Sequence, residues 1–195
     1  MGKKVLFIFF SVFLAYRTYV MIDRLMNTSS LRATESTLIA FLLCLFITGI
    51  FAFPGFVFPT HRILPPSYYT IKNGRELKQI YALLRVDLFR RLLLFFFWGK
   101  EHNRKKYFDG TKNGLDNLNY QSKQSEFGHL AALVLIDMVT LLALIKGFFV
   151  LTIMLVIINL IGNLYPILLQ RMHRMRIQRM LLIMDRKRKY NSHAQ

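Results

Sequence analysis

The sequence predicts an all-α integral membrane protein: four transmembrane helices plus an interfacial amphipathic helix, with both termini in the cytoplasm. Three observations carry this. Leu38–Phe58 and Gly147–Leu169 hold no charged residue, and each is long enough to cross a hydrocarbon core of about 30 Å. The 195 residues are 54% hydrophobic, yet the formal net charge is +17. Finally, the basic residues are segregated from the apolar runs. A soluble domain of that charge would point to a nucleic-acid partner; segregation points instead to basic cytoplasmic loops and weighs against nucleic acid.

The first span, residues 5–22, follows the basic "MGKK" and is apolar except for Arg17. It has the layout of a signal peptide, but no small-residue cleavage pattern precedes Arg17, so a retained helix is expected. The second span covers 38–58 and carries Pro54 and Gly55, which a bilayer tolerates better than water does. The third, 130–145, is short and carries Asp137. The fourth, 147–169, holds Gly162 and Pro166, and Pro166 should kink or unwind it. The turn between these two falls at Lys146 and Gly147.

About half of the Lys and Arg lie between Pro59 and His129, and a further group lies in the tail, residues 170–195. With Lys3 and Lys4 these fall on one side of a four-span protein. The positive-inside rule makes that side the cytoplasm. By length the chain is one membrane domain. Its only cysteine, Cys44, lies inside the second span, so neither an internal disulfide nor a thiolate metal site is available.

Within the cytoplasmic segment 59–129, "PTHRILPPSYY" is turn-rich and aromatic, suited to the membrane interface. Glu76 to Trp98 is helical in period, with Leu77, Ile80, Leu84 and Leu88 on one face. Arg85, Arg90 and Arg91 suit it to lie along the inner leaflet, and its closing "LLLFFFW" is too short to span. Gly99–Gln124 reads as a polar loop with turn signals at "DGT" and "NGL". Its Arg104, Lys105 and Lys106 could meet a phosphorylated substrate or a lipid head group. No P-loop, dinucleotide fingerprint, Gly-x-Ser-x-Gly elbow or internal repeat occurs.

The chemistry-bearing residues begin in "SEFGHL". Ser122 or Ser125 can cap the third helix, placing Glu126 in its first turn, where the helix dipole favours a carboxylate. Glu126 and His129 share a helical face, and Asp137, eleven residues on, continues it. The fourth helix carries a second polar line: Asn159, Asn163 and Gln170, then His173 and Arg174. Two such lines are either interhelical hydrogen-bonding partners or the walls of a polar cleft. A histidine beside a carboxylate can take a proton from a hydroxyl, and Asn, Gln or Arg can serve an oxyanion. That equipment suits acyl transfer from a thioester to an alcohol by direct attack. A Glu-x-x-His metal site would require a second such motif, which the chain lacks, so no metal is expected.

"SEFGHL" together with "NLYPILLQRMHRMRI" (Asn163 to Ile177) resembles the glycosyl-4,4'-diaponeurosporenoate acyltransferase family. These are small bacterial membrane proteins in which an Ala-Glu-x-x-His segment opens a span. Their last span runs into Asn-x-x-Pro-x-x-x-Gln-Arg-x-Asn-Arg-x-Arg. Glu126 and His129 match the first motif; Asn163, Pro166, Gln170, Arg171, Arg174 and Arg176 match the second. A looser match covers Pro65 to Arg91. His173 stands where the family usually has Asn, and Met175 where it often has Pro. The resemblance implies a bacterial inner-membrane enzyme, with a role in carotenoid biosynthesis, that uses an acyl thioester donor such as acyl-CoA and no cofactor. It implies a glycolipid or related lipid acceptor, with membrane lipids as surroundings. On this reading His129 is general base and Glu126 its partner, while Asn163, Gln170, Arg171, Arg174, Arg176 and Asp137 contact substrate. Two other readings compete: a non-catalytic membrane subunit with polar faces for packing and a basic tail for docking, and, less well supported, a small transporter.

Overall fold

The computed structural model describes residues 2–95 and 112–193. Among them the fold is all-helical with no strand, and four helices are long and apolar enough to cross a membrane. The chain forms two compact units, residues 1–64 with 124–167, and residues 65–123 with 168–195.

In the first unit, α1 (Gly2–Asn27) and α2 (Ala33–Gly55) are antiparallel neighbours. Ser11 Oγ donates to the carbonyl of Ile50 at 2.8 Å, and Phe7 and Phe10 stack on Phe53 at 5.8 and 5.5 Å. Gly49 lets Leu14 sit directly against the α2 backbone, where a Cβ would collide with it. The Arg32 backbone N–H donates to Glu35 Oε2 at 3.0 Å, so α2 starts on its own first-turn carboxylate. It ends at Gly55, three residues before the expected boundary, because Phe56–Phe58 turn back onto the carbonyls of Phe53 and Pro54.

Two further helices complete this unit: the membrane part of α6 (Lys112–Ile145), and α7 (Phe149–Asn159) with the π turn Leu160–Leu164 that follows it. The hairpin between them turns at Gly147, whose φ of +77° only glycine adopts without strain. Leu43, Ile47, Ala132, Ile136, Leu151 and Leu155 are fully buried in a shared core. In lipid such a core is held by van der Waals fit rather than by exclusion of water. Small residues at Ala40, Ala132 and Ala143 allow the helices to approach closely.

In the second unit, the helix expected over Glu76 to Trp98 is broken. A short turn, α3 (Pro66–Tyr69), leads to α4 (Gly74–Leu83) and α5 (Val86–Leu93). Asn73 caps α4 through Oδ1 and the Glu76 N–H at 3.3 Å. Between α4 and α5, Arg85 takes left-handed backbone angles, φ 49°, at a cost of about 1–2 kcal/mol for an L-residue. The buried face is Leu77 and Tyr81, then Val86; Ile80 and Leu88 are exposed. Trp98 and the Arg104–Lys106 cluster lie outside the described residues.

The largest departure is α6. It is already helical at Lys112, well before Leu130, so "NGL" is helical, and the polarity of residues 112–124 does not make a loop of them. Ser122 and Ser125 therefore cap nothing, and Glu126 is mid-helix, beyond the reach of the terminal dipole. Without a proline to stop it, the polar stretch stays helical by burying selected side chains, among them Leu115 and Ser122. The last helix, α8 (Tyr165–His193), likewise carries the expected tail onward as helix.

Candidate functional site

The two expected polar lines meet inside the first unit, and the acceptors at one end fix the direction of every bond. Asn159 Nδ2 donates to the backbone carbonyl of Leu133 at 3.1 Å and to Asp137 Oδ1 at 2.8 Å. Asn159 Oδ1 therefore faces the other way, and accepts from Asn163 Nδ2 at 2.9 Å. Asn163 Oδ1 then faces His129 Nδ1 at 3.0 Å and accepts from Thr48 Oγ at 3.3 Å. An amide oxygen only accepts, so His129 Nδ1 carries the hydrogen. Nε2 is left as the ring nitrogen able to take a proton. The partner given to Nδ1 is thus an asparagine, where the sequence suggested Glu126.

The π turn explains one more contact. Pro166 has no N–H for the carbonyl of Gly162, four residues earlier. The Tyr165 N–H reaches back five residues, to Leu160, and the Gly162 carbonyl lies against the His129 ring.

Asn159 and Asn163 are buried, Glu126 is 0% exposed, and Asp137 is exposed. Arg17, a conceivable partner for Asp137, is exposed on α1, and the bond that Asp137 makes is to Asn159. A fully buried carboxylate needs polar partners to be tolerated, and packing alone gives no reason for Glu126.

In the same unit, an open apolar groove of about 390 Å³ is lined by residues that include Phe51, Leu64, Phe127, Leu130, Val134 and Met138, and by none of the polar side chains above. Phe127 and Leu130 bracket His129 in sequence. α6 runs close to α2 at Gly128, where an added Cβ would make an ordinary van der Waals contact with the Phe51 carbonyl at 3.8 Å.

Gln124, which the sequence did not single out, holds the turn after α2. Its Nε2 donates to the carbonyls of Gly55 at 2.7 Å and Phe58 at 2.5 Å. Its Oε1 accepts from His61 N at 2.8 Å and His61 Nδ1 at 2.5 Å. Gln124→Leu should take away the side-chain bonds to the Gly55 carbonyl and the His61 N–H and lower stability by about 1–3 kcal/mol. A fall in the thermal midpoint of the detergent-solubilised protein checks this; an unchanged midpoint would mean that the turn is held by its backbone bonds alone.

The second unit has its own polar cluster. Arg174 is 0% exposed. Its Nε donates to the Tyr69 carbonyl at 2.8 Å and its Nη1 to Ser122 Oγ at 3.4 Å, while its guanidinium lies 5.3 Å from the Tyr69 ring centre. Ser122 Oγ donates to the carbonyl of Gln170 at 3.1 Å. Arg171 lies over Tyr68 at 4.9 Å and Lys123 over Tyr69 at 5.8 Å. Gln178 Nε2 reaches the Tyr69 carbonyl as well, at 3.4 Å. Three cations are thus gathered on two tyrosines, an arrangement that aromatic faces favour.

Of the expected site residues, His129, Asn163 and Asp137 join one hydrogen-bonded chain, with Glu126 a turn before His129 on the same helix. Arg171, Arg174 and the Gln170 backbone belong to the cation–tyrosine cluster, and Arg176 is exposed. Sequence reasoning did not reach Tyr69 and Thr48 as site residues, nor Ser122 as anything but a cap. The doublet "YY" beside "PPS" is the one available signal for Tyr69. No group of three or more metal-ligating side chains occurs among the described residues.

The family model described as glycosyl-4,4'-diaponeurosporenoate acyltransferase matches residues 65–182. Neither the curated proteins nor the solved structures gave a match.

Proposed function

The chain belongs to the glycosyl-4,4'-diaponeurosporenoate acyltransferase family, whose model covers more than half of it, and from that premise we propose that it transfers a fatty acyl group from an acyl thioester to a hydroxyl of a glycolipid or related lipid acceptor. The reaction takes place at the cytoplasmic interface of a bacterial inner membrane. Both termini are cytoplasmic, and α4 and α5 lie along the inner leaflet; the distribution of Lys and Arg supports both assignments.

The observation that carries this reading is the 3.0 Å contact between His129 Nδ1 and Asn163 Oδ1. It leaves Nε2 to act as base. The acceptor hydroxyl gives its proton to Nε2, and its oxygen attacks the thioester carbonyl carbon. The C–O bond forms, the C–S bond breaks, and the leaving thiolate takes the proton back from the imidazolium. Histidine–asparagine pairing of this kind serves acyl transfer on unrelated folds. Glu126 lies a turn away on the same helix. The apolar groove suits an acyl chain. Arg171, with Lys123 the less buried of the cations on the tyrosines, is assigned on the family motif to the phosphates of a donor such as acyl-CoA. Gln170 and Arg176 are assigned to substrate contact on the family motif alone.

Purified protein in lipid nanodiscs, supplied with a long-chain acyl-CoA and a panel of glycolipids and lipid alcohols, tests this directly. One acceptor should gain a single acyl group by mass spectrometry, with one thiol released per ester formed. No ester and no thiol release across the panel would favour the non-catalytic membrane subunit.

A further inference from the structure

We propose that Asp137 is a positioning residue that fixes the tautomer of His129 across two asparagines. The inference rests on the reading of His129 as the base, and it concerns charge rather than packing. Each link in the chain has a single direction: His129 Nδ1 to Asn163 Oδ1, Asn163 Nδ2 to Asn159 Oδ1, and Asn159 Nδ2 to Asp137 Oδ1, at 3.0, 2.9 and 2.8 Å. The two middle members are 1% exposed, so water does not compete for their amides. Hydrogen bonds in such a series polarise one another. A carboxylate at the far end therefore favours a hydrogen on Nδ1 and steadies the positive charge that His129 acquires when it takes a proton.

The fold does not require that carboxylate. Asn159 already has the Leu133 carbonyl as a second acceptor at 3.1 Å, and Asp137 itself is exposed rather than packed. An acid in the middle of a span costs a few kcal/mol. A leucine or an asparagine at this position would spare the fold that cost. What the acid adds is charge at the head of a chain that ends on the catalytic imidazole.

The test separates charge from place. Asp137→Asn keeps an oxygen to accept from Asn159 but removes the charge. The double variant Asp137→Asn with Asn159→Asp moves the charge one link closer, where it can accept from both neighbours. Tautomers are read by long-range ¹H–¹⁵N correlation on histidine-labelled protein, with the His129 signal assigned by its loss in His129→Asn. The native ring should be the Nδ1–H form. Asp137→Asn should lower the Nδ1–H population and reduce kcat about tenfold with KM unchanged, far less than removal of a directly bonded triad carboxylate. The double variant should recover the tautomer and bring kcat to within about threefold of native.

A native tautomer ratio in Asp137→Asn overturns the proposal. So does failure of the double variant to recover what the single variant lost, since position rather than charge would then matter. If the native protein makes no ester, the function proposed above falls, while the tautomer ratios still decide the role of Asp137.

Discussion

His129→Ala is expected to lower acyl transfer by about 10²–10⁴-fold, the usual contribution of a positioned general base, while leaving the protein folded. The side chain that holds the ring is Asn163, and that asparagine keeps its bonds to Thr48 and Asn159 when the ring is gone. The thermal midpoint and the membrane yield should therefore stay close to native. His129→Gln retains a donor for Asn163 but cannot take up a proton, and should be as inactive as alanine. Ester formation in nanodiscs, measured as initial rate against acyl-CoA, gives the comparison. Either variant retaining a third or more of the native rate would falsify the assignment of His129 as base.

Arg174→Met should have the largest effect on stability. The guanidinium is fully buried and holds the Tyr69 carbonyl, Ser122 Oγ and the Tyr69 ring together. Two charge-assisted hydrogen bonds and a desolvated cation–π contact put the loss at about 3–5 kcal/mol, a large fraction of the stability of a typical domain. Arg174→Lys should recover only part of it, because an ammonium cannot reproduce the planar fork. Arg176, two residues on, is exposed, and Arg176→Met should fall within about 0.5 kcal/mol of native. Thermal midpoints by fluorescence size-exclusion settle the order. If Arg174→Met and Arg176→Met melt together, burial of Arg174 carries no energetic weight.

These two arginines show how far the sequence could be read. The motif spacing marks both, and nothing in the string tells the buried one from the exposed one, because that depends on which face of α8 meets Tyr69. The spans were legible because a bilayer demands long uncharged helices, and the two polar lines because helical periodicity is local. The start of α6 was not. Ser122 looks like a cap, but its hydroxyl is taken by the Gln170 carbonyl, 48 residues away. The break at Arg85 carries neither Gly nor Pro to announce it. Asn163 was legible as polar but not as the partner of His129, since that requires knowing which turn of the fourth helix faces the third. Gln124 had no signal at all: a lone glutamine in a polar run looks the same whether it is solvated or holds a turn.

The π turn at Leu160–Leu164 has a genealogical consequence. A π turn holds one residue more than the α-helical turns around it, so this helix can be viewed as one that has accommodated a single inserted codon. Deleting one residue between Leu160 and Gly162 would allow a regular helix again, and would rotate Asn163 by about 100° relative to Asn159. Every polar side chain would survive, yet the asparagine would no longer meet the imidazole. Relatives should accordingly be aligned with this extra residue kept in place, because two homologues that carry all the same motif letters but differ by one codon here would not have inherited the same chemistry.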